Sequence, residues 1–227
     1  MQQEISSLKF FFSLLNNNCE YLVLRNWDDI FDETIYGKEH EDIDVLCRSV
    51  DEFKRLSNAR RIHKSKYRDN FLVNIGGHDV RFDVRHVGDG YYPREWEDMM
   101  LKRRVLTDKG FYIMSQEDYA YSLTYHALLQ KPELSKEYQA KISNAFHQLN
   151  SNIAYSTFSK LLEALLSYCQ RNNYNIEIPS DPGVFINKKN FSDFKRSFNL
   201  GRLLRRKALH IRQLTEYYSR RLLSVFH

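Results

Sequence analysis

Glycine is scarce in this chain, with 8 in 227 residues, and so are proline, with 4, and cysteine, with 3. Few glycines leave little material for phosphate-cradling loops. Neither Gly-x-x-x-x-Gly-Lys-Ser/Thr nor Gly-x-Gly-x-x-Gly occurs, which argues against a P-loop or dinucleotide-binding enzyme. Cys19, Cys47 and Cys169 are odd in number and widely spaced in apolar surroundings, so they read as reduced thiols, neither a disulfide framework nor a zinc site. No apolar run approaches the ~20 residues needed to cross a bilayer. Phe10-Phe11-Phe12 is too short for the core of a secretory leader and has no basic stretch before it, so a cytoplasmic protein is expected. Internal repeats, low-complexity tracts, a His-x-x-x-His ligand pair and an arguable Ser-His-Asp or Cys-His constellation are also missing.

What is present is an ordinary soluble balance, with 42% hydrophobic and 28% charged residues, and many aromatics, 15 Tyr and 15 Phe among them. A net charge of +5 suits anionic ligands or surfaces without naming one.

The informative stretch is residues 21–47. An apolar run, Tyr21-Leu22-Val23-Leu24, is followed by a polar connection and then by Asp42-Ile43-Asp44-Val45-Leu46. Strand alternation sends Asp42 and Asp44 to one face, Ile43 and Val45 to the other. Two carboxylates side by side repel, so the pattern gains little unless a cation lies between them. Mg²⁺ prefers oxygen ligands and commonly joins a few carboxylates to substrate phosphates. Downstream, Val80, Phe82 and Val84 alternate with Arg81, Asp83 and Arg85, a second strand pattern that offers Asp83 as a third acid. The competing account is that Asp42, Asp44 and Asp83 are surface acids paired with Arg25, Arg81 and Arg85.

This arrangement resembles the nucleotidyltransferase superfamily of the DNA polymerase β type, which carries a strand, a turn, an Asp-x-Asp strand and a third Asp on a later strand. The resemblance covers about the first half of the chain. It implies that Asp42, Asp44 and Asp83 are the catalytic metal ligands for Mg²⁺ or Mn²⁺. The family places Gly-Ser after its first strand; here Leu24-Arg25-Asn26-Trp27 stands there, so Arg25 and Asn26, with Arg81 and Arg85, become the candidate nucleotide-binding residues. The implied partners are a nucleotide or nucleotide-activated donor and a hydroxyl acceptor. A looser likeness, through GDGYYPREWEDMMLKRRVL, to nucleotidyltransferase-like proteins of bacterial surface-polysaccharide synthesis suggests a saccharide as that acceptor.

The fold expected is α/β (α+β): a small mixed sheet with flanking helices, then a helical C-terminal half. The division is residues 1–114 and 115–227. A helix is expected over 4–15, ending at Asn16-Asn17-Asn18, and another after the capping-box residues Ser49-Val50-Asp51-Glu52. Strands follow over 61–66 and 70–75, with Gly76-Gly77 as a hairpin turn into the Asp83 strand. A helix over 94–104 ends on Arg103 and Arg104, which could reach a phosphorylated substrate or simply suit the helix dipole in solvent. A short strand is expected over 111–114. Ser115 opens a helix with the stripe Ala120, Leu123 and Ala127, inside which His126 reads as a core histidine. Two further helices are expected over 134–149 and 157–170, and His40, just before the acid pair, is the one histidine worth testing.

Residues 172–190 read as a loop or linker. Residues 200–226 read as a basic amphipathic helix, with Leu204, Ala208 and Ile211 on one face and Arg202, Arg205, Arg206, Arg212 and Arg220 on the other. Such a helix could lie on an anionic membrane surface, placing the protein peripherally at its inner face, or dock with its charges in solvent. Two other functions fit less of the sequence. One is a non-catalytic nucleotide- or partner-binding module of the same fold, favoured by the missing Gly-Ser turn. The other is a nucleic-acid-binding protein, disfavoured because basic and stacking residues are not gathered in one module.

Overall fold

The computed structural model describes residues 4–27, 30–31, 42–64, 67–149, 151, 158–179, 181 and 183–191, with 204, 207–209, 211 and 215 in helical conformation. His40 and most of the basic segment over 200–226 lie outside the described residues.

Ser7 begins the first helix, α1 (Leu8–Asn18), by accepting the Phe10 N–H on its hydroxyl. The helix runs through the asparagines that were expected to stop it. Asn17 and Asn18 turn their side-chain amides back to the carbonyls of Ser13 and Leu14, one turn earlier, at 3.1 and 2.9 Å. Leu8, Phe11, Phe12 and Leu15 form its buried face.

Strands β1 (Tyr21–Val23) and β2 (Ile43–Cys47) are antiparallel neighbours. Helix α2 (Val50–Ser57) follows, with Ser49 as the expected N-cap accepting from the Glu52 N–H. Then come β3 (Arg60–Lys64), β4 (Asp69–Ile75) and β5 (His78–His86), β4 and β5 being joined by the Gly76-Gly77 hairpin. Both glycines have positive φ; a Cβ on Gly76 would also stand 3.0 Å from the Ser6 carbonyl oxygen, while Gly77 has open space and is held to glycine by its φ alone. After α3 (Arg94–Lys102) a pair of two-residue strands, β6 (Val105–Leu106) and β7 (Tyr112–Ile113), completes the sheet. The seven strands lie in the order β3-β4-β5-β2-β1-β7-β6, and β2 runs parallel to β5.

Alternation along these strands sorts the side chains into two layers. Tyr21, Val23, Ile43, Val45, Val80, Phe82 and Val84 meet α1 and α2 on one face, where Phe11, Phe12, Phe53, Phe71 and Phe111 are fully buried. Each such phenylalanine stabilises by about 1.5–3 kcal/mol relative to exposure. Leu22, Leu24 and Leu46 point to the other face and join α3 and the helices that follow it: α4 (Gln116–Leu129), α5 (Lys136–Gln148) and α6 (Phe158–Arg171). Central helix α4 is buried around most of its circumference, not along one stripe, so its polar residues need internal partners.

Two expectations change here. The described residues of 172–187 are a loop, as one expected reading had it, but a loop packed on the protein and not a linker. Tyr174, Ile176 and Ile178 are buried in alternation, and Asn187 N–H and the Asn190 amide donate to the carbonyls of Leu129 and Leu128 at the end of α4, leading into a short α7 (Lys188–Phe191). Arg103 and Arg104 are not a solvated helix end. Arg103 donates to Asp118 at 2.7 Å and Tyr174 at 3.0 Å, while Arg104 donates to the Leu101 carbonyl and lies over the Tyr112 ring. Among the described residues no helix is long and apolar enough to cross a membrane.

Candidate active site

The parallel pairing of β2 with β5 sets Asp44 directly opposite Asp83, with Ile43 opposite Phe82 on the reverse face. Asp44 and Asp83 therefore share the sheet face that carries the helical layer. Asp42 stands just before β2, on the more exposed side of the pair.

Each of the three carboxylates is engaged by an arginine. Arg25, the residue after Leu24, donates from Nε and Nη2 to Asp44 Oδ2 at 3.3 and 3.0 Å. Arg68, just before β4, donates to Asp83 Oδ2 at 3.1 Å. Arg81 lies 3.5 Å from Asp42 in a pair that is open to solvent on both sides, and such exposed pairs contribute about 0–1 kcal/mol. Among the described residues no group of three or more His, Cys, Asp or Glu side chains is placed to hold a metal ion. Arg85 differs from the open phosphate-binding residue the sequence suggested: it is buried, donates to Asp89 at 3.2 Å, lies 3.7 Å from Asp181, and rests 3.9 Å above the Tyr91 ring. Asn26 has left-handed backbone (φ 54°) and is exposed at the turn after β1, a conformation that asparagine tolerates.

The donor set nevertheless fits a divalent ion at two of the acids. Asp83 Oδ1 is buried and has no hydrogen-bond partner, an uncommon state for a carboxylate oxygen. Burial raises the Asp83 pKa above the ordinary carboxylate range; Arg85 and Arg68 pull it down, and the charges of Asp44 and Asp42 push it up again. Mg²⁺ usually takes one or two protein carboxylates and completes its shell with water and phosphate oxygens, which is what the Asp44–Asp83 pair offers.

Several groups at this site had no role assigned from the sequence. Gly88 and Gly90, both with positive φ, fold a turn that brings Asp89 back to Arg85 and the Tyr91 hydroxyl to within 3.2 Å of Arg25 Nη1. Glu97 closes the same turn by accepting the N–H groups of Gly88 and Tyr92; burial, and then the neighbouring Asp89, lift its pKa well above normal. Asp181 arrives from the segment read as a linker. His126, as expected, is a core histidine: its Nδ1 lies 2.9 Å from both the Tyr91 hydroxyl and Gln130 Oε1. An open pocket of about 280 Å³ adjoins the outer side of the turn, lined by Arg94, Glu95, Asn175 and Glu177 among others, and is separate from the acid–arginine face.

No protein-family model matches the sequence, and neither does any curated protein. Among solved structures the chain is similar to the antibiotic-resistance factor ANT(2'')-Ia in solution, at 14% identity and a TM-score of 0.40 over 72% of this chain and 89% of that one. A crystal structure of ANT(2'')-Ia in complex with adenylyl-2''-tobramycin matches at 14% identity and a TM-score of 0.42, over 71% and 94% of the two chains. An antigenic nucleotidyltransferase-like protein from Paracoccidioides brasiliensis matches at 11% identity and a TM-score of 0.38, over 87% and 97%.

Proposed function

We propose that the chain transfers a nucleotidyl or related phosphoryl group from a nucleotide donor to a hydroxyl acceptor, with a divalent metal, Mg²⁺ or Mn²⁺, at Asp44 and Asp83. The observation that carries this reading is the Asp44–Asp83 pair, in register on neighbouring strands, with one buried Asp83 oxygen left without a partner. When bound, the metal would supply positive charge against the phosphate oxygens and the leaving group.

The chain's own residues account for the rest of the chemistry. Arg25 and Arg68 each hold a carboxylate through N–H groups of the kind that also take phosphate oxygens, so a nucleotide can exchange with a carboxylate at either. As the oxygen–phosphorus bond forms and the bond from phosphorus to the leaving phosphate breaks, the acceptor's hydroxyl proton can pass to a carboxylate oxygen of Asp83 that the metal does not take. Asp44 orients Arg25. A saccharide is the acceptor class to screen first, and the anionic-membrane role of the 200–226 segment is a separate proposal about location.

A specific observation favours a second reading. Every one of the three acids already has an arginine, as a non-catalytic nucleotide- or partner-binding module would require. Thermal shift with each nucleotide and nucleotide sugar, with and without Mg²⁺ or Mn²⁺, followed by a turnover assay, separates the two. Metal-dependent stabilisation with turnover supports transfer. Nucleotide stabilisation without turnover under any metal selects the binding module. A salt-sensitive response to DNA or RNA alone rejects both.

A further inference from the structure

Arg25 and Arg85 converge on one residue, Tyr91. Tyr91 lies on the helical side of the site and is buried. Its hydroxyl accepts from Arg25 Nη1 at 3.2 Å, and its ring carries the Arg85 guanidinium at 3.9 Å and lies 5.9 Å from that of Arg25. Its main chain is tied as firmly. The N–H donates to Asp89 Oδ1 at 2.7 Å, and the carbonyl accepts from Tyr125 O–H at 3.2 Å and Gln130 Nε2 at 3.3 Å.

Behind the phenol stands His126. Burial, and then the charge of Arg25, push its imidazole down to about 3, so the ring is neutral and has one proton to place. Protonated at Nε2, it accepts the Tyr91 O–H on Nδ1; protonated at Nδ1, it donates to Gln130 Oε1. In either tautomer the Tyr91 oxygen keeps a lone pair for Arg25. A charged imidazolium at that position would instead repel Arg25.

We propose that Tyr91, braced by His126 and Gln130, is the positioning residue of this site, fixing the Arg25 guanidinium between Asp44 and the place where phosphate would bind. Its effect on phosphate binding rests on the function proposed above; its effect on Arg25 does not. The hydroxyl holds Arg25 alone, whereas Arg85 needs only the ring and its aspartates. Tyr91→Phe therefore separates the two arginines cleanly, and it leaves the ring packing and the His126–Gln130 contact in place.

The test uses the full chain and two readouts. In ¹⁵N spectra of arginine side chains, the wild-type Nε–H signals of Arg25 and Arg85 should both be those of immobilised groups. In Tyr91→Phe the Arg25 signal should broaden or exchange faster while that of Arg85 stays. The second readout is calorimetric binding of inorganic triphosphate with Mg²⁺. Tyr91→Phe should weaken it by about three- to tenfold, the worth of one hydrogen bond. Combined with Arg25→Gln it should add nothing further, yet add fully to Arg81→Gln, since Arg81 does not touch Tyr91. An unchanged Arg25 signal, or full additivity with Arg25→Gln, overturns the proposal. If wild-type protein binds no triphosphate, the proposed function is what fails, and the spectra alone then decide the role of Tyr91.

Discussion

Asp44 and Asp83 face each other across parallel strands, and each is held by an arginine from outside both strands, Arg25 for the first and Arg68 for the second. Neither carboxylate is therefore idle, and a divalent ion taking the unpartnered Asp83 Oδ1 would still compete with a guanidinium for the charge of each acid.

That competition sets the outcome of Asp44→Asn. The change is nearly isosteric, and an amide oxygen can still accept from Arg25, but it removes the negative charge that both Arg25 and the metal need. Metal-free stability in urea should fall by about 1–3 kcal/mol, because Arg25 is mostly buried and loses its counter-charge. Mn²⁺ affinity should fall at least tenfold in the same protein. Unchanged Mn²⁺ affinity would take the metal away from this pair.

Arg68→Ala acts through Asp83. The carboxyl is already raised by burial, and Arg68 is one of the two cations that hold it down. Removing it moves the Asp83 pKa further up, so protons compete with metal over a wider range. The midpoint of Mn²⁺ binding against pH should shift to higher pH, with binding near neutrality reduced less than at pH 5. A midpoint that stays put would show that Asp83 does not titrate with metal binding.

His126 gives the protein an acid limit. The unfolded chain takes up a proton near the ordinary value of 6.5, which the folded chain refuses until about 3. This contribution is whole above pH 6.5 and drains as pH falls through that window, at up to about 1.4 kcal/mol per pH unit. His126→Gln should flatten the stability-against-pH curve between those limits by one proton's worth, measured by urea unfolding across the range.

The most damaging single change predicted is far from the acids. Asp118 is fully buried and accepts from Trp96 Nε1, Tyr168 O–H, Arg103 and the Ser115 hydroxyl, tying α3, α4 and α6 together. Asp118→Ala strands several buried donors and one cation at once, and should cost about 3–5 kcal/mol by equilibrium unfolding. A loss under 1 kcal/mol would mean that solvent reaches these groups.

Much of the local architecture was legible in the chain. Ser49 and Ser115 cap the helices they were expected to cap, Gly76-Gly77 turns the expected hairpin, and alternation placed Asp44 and Asp83 on faces opposite Val45 and Val84. These signals act over a few residues, because caps, turns and strand faces are set by neighbouring backbone geometry. Residue Asn18 shows where such reading slips: asparagines that usually break a helix extended α1 by bonding back to its own carbonyls.

The partners of the acids were another matter. Arg85 looked like a phosphate ligand by its place beside Asp83, yet Asp89 and Asp181 occupy it, one from a glycine turn and the other from a segment that read as a linker. Arg68 and Tyr91 gave no sign of their roles. The period of a strand states which way a side chain points, and residues 42–44 and 80–85 carried that in their own order. Which guanidinium it meets depends on strand pairing and on loops closing from far along the chain, and those contacts exist only once the apolar faces of the sheet have been buried.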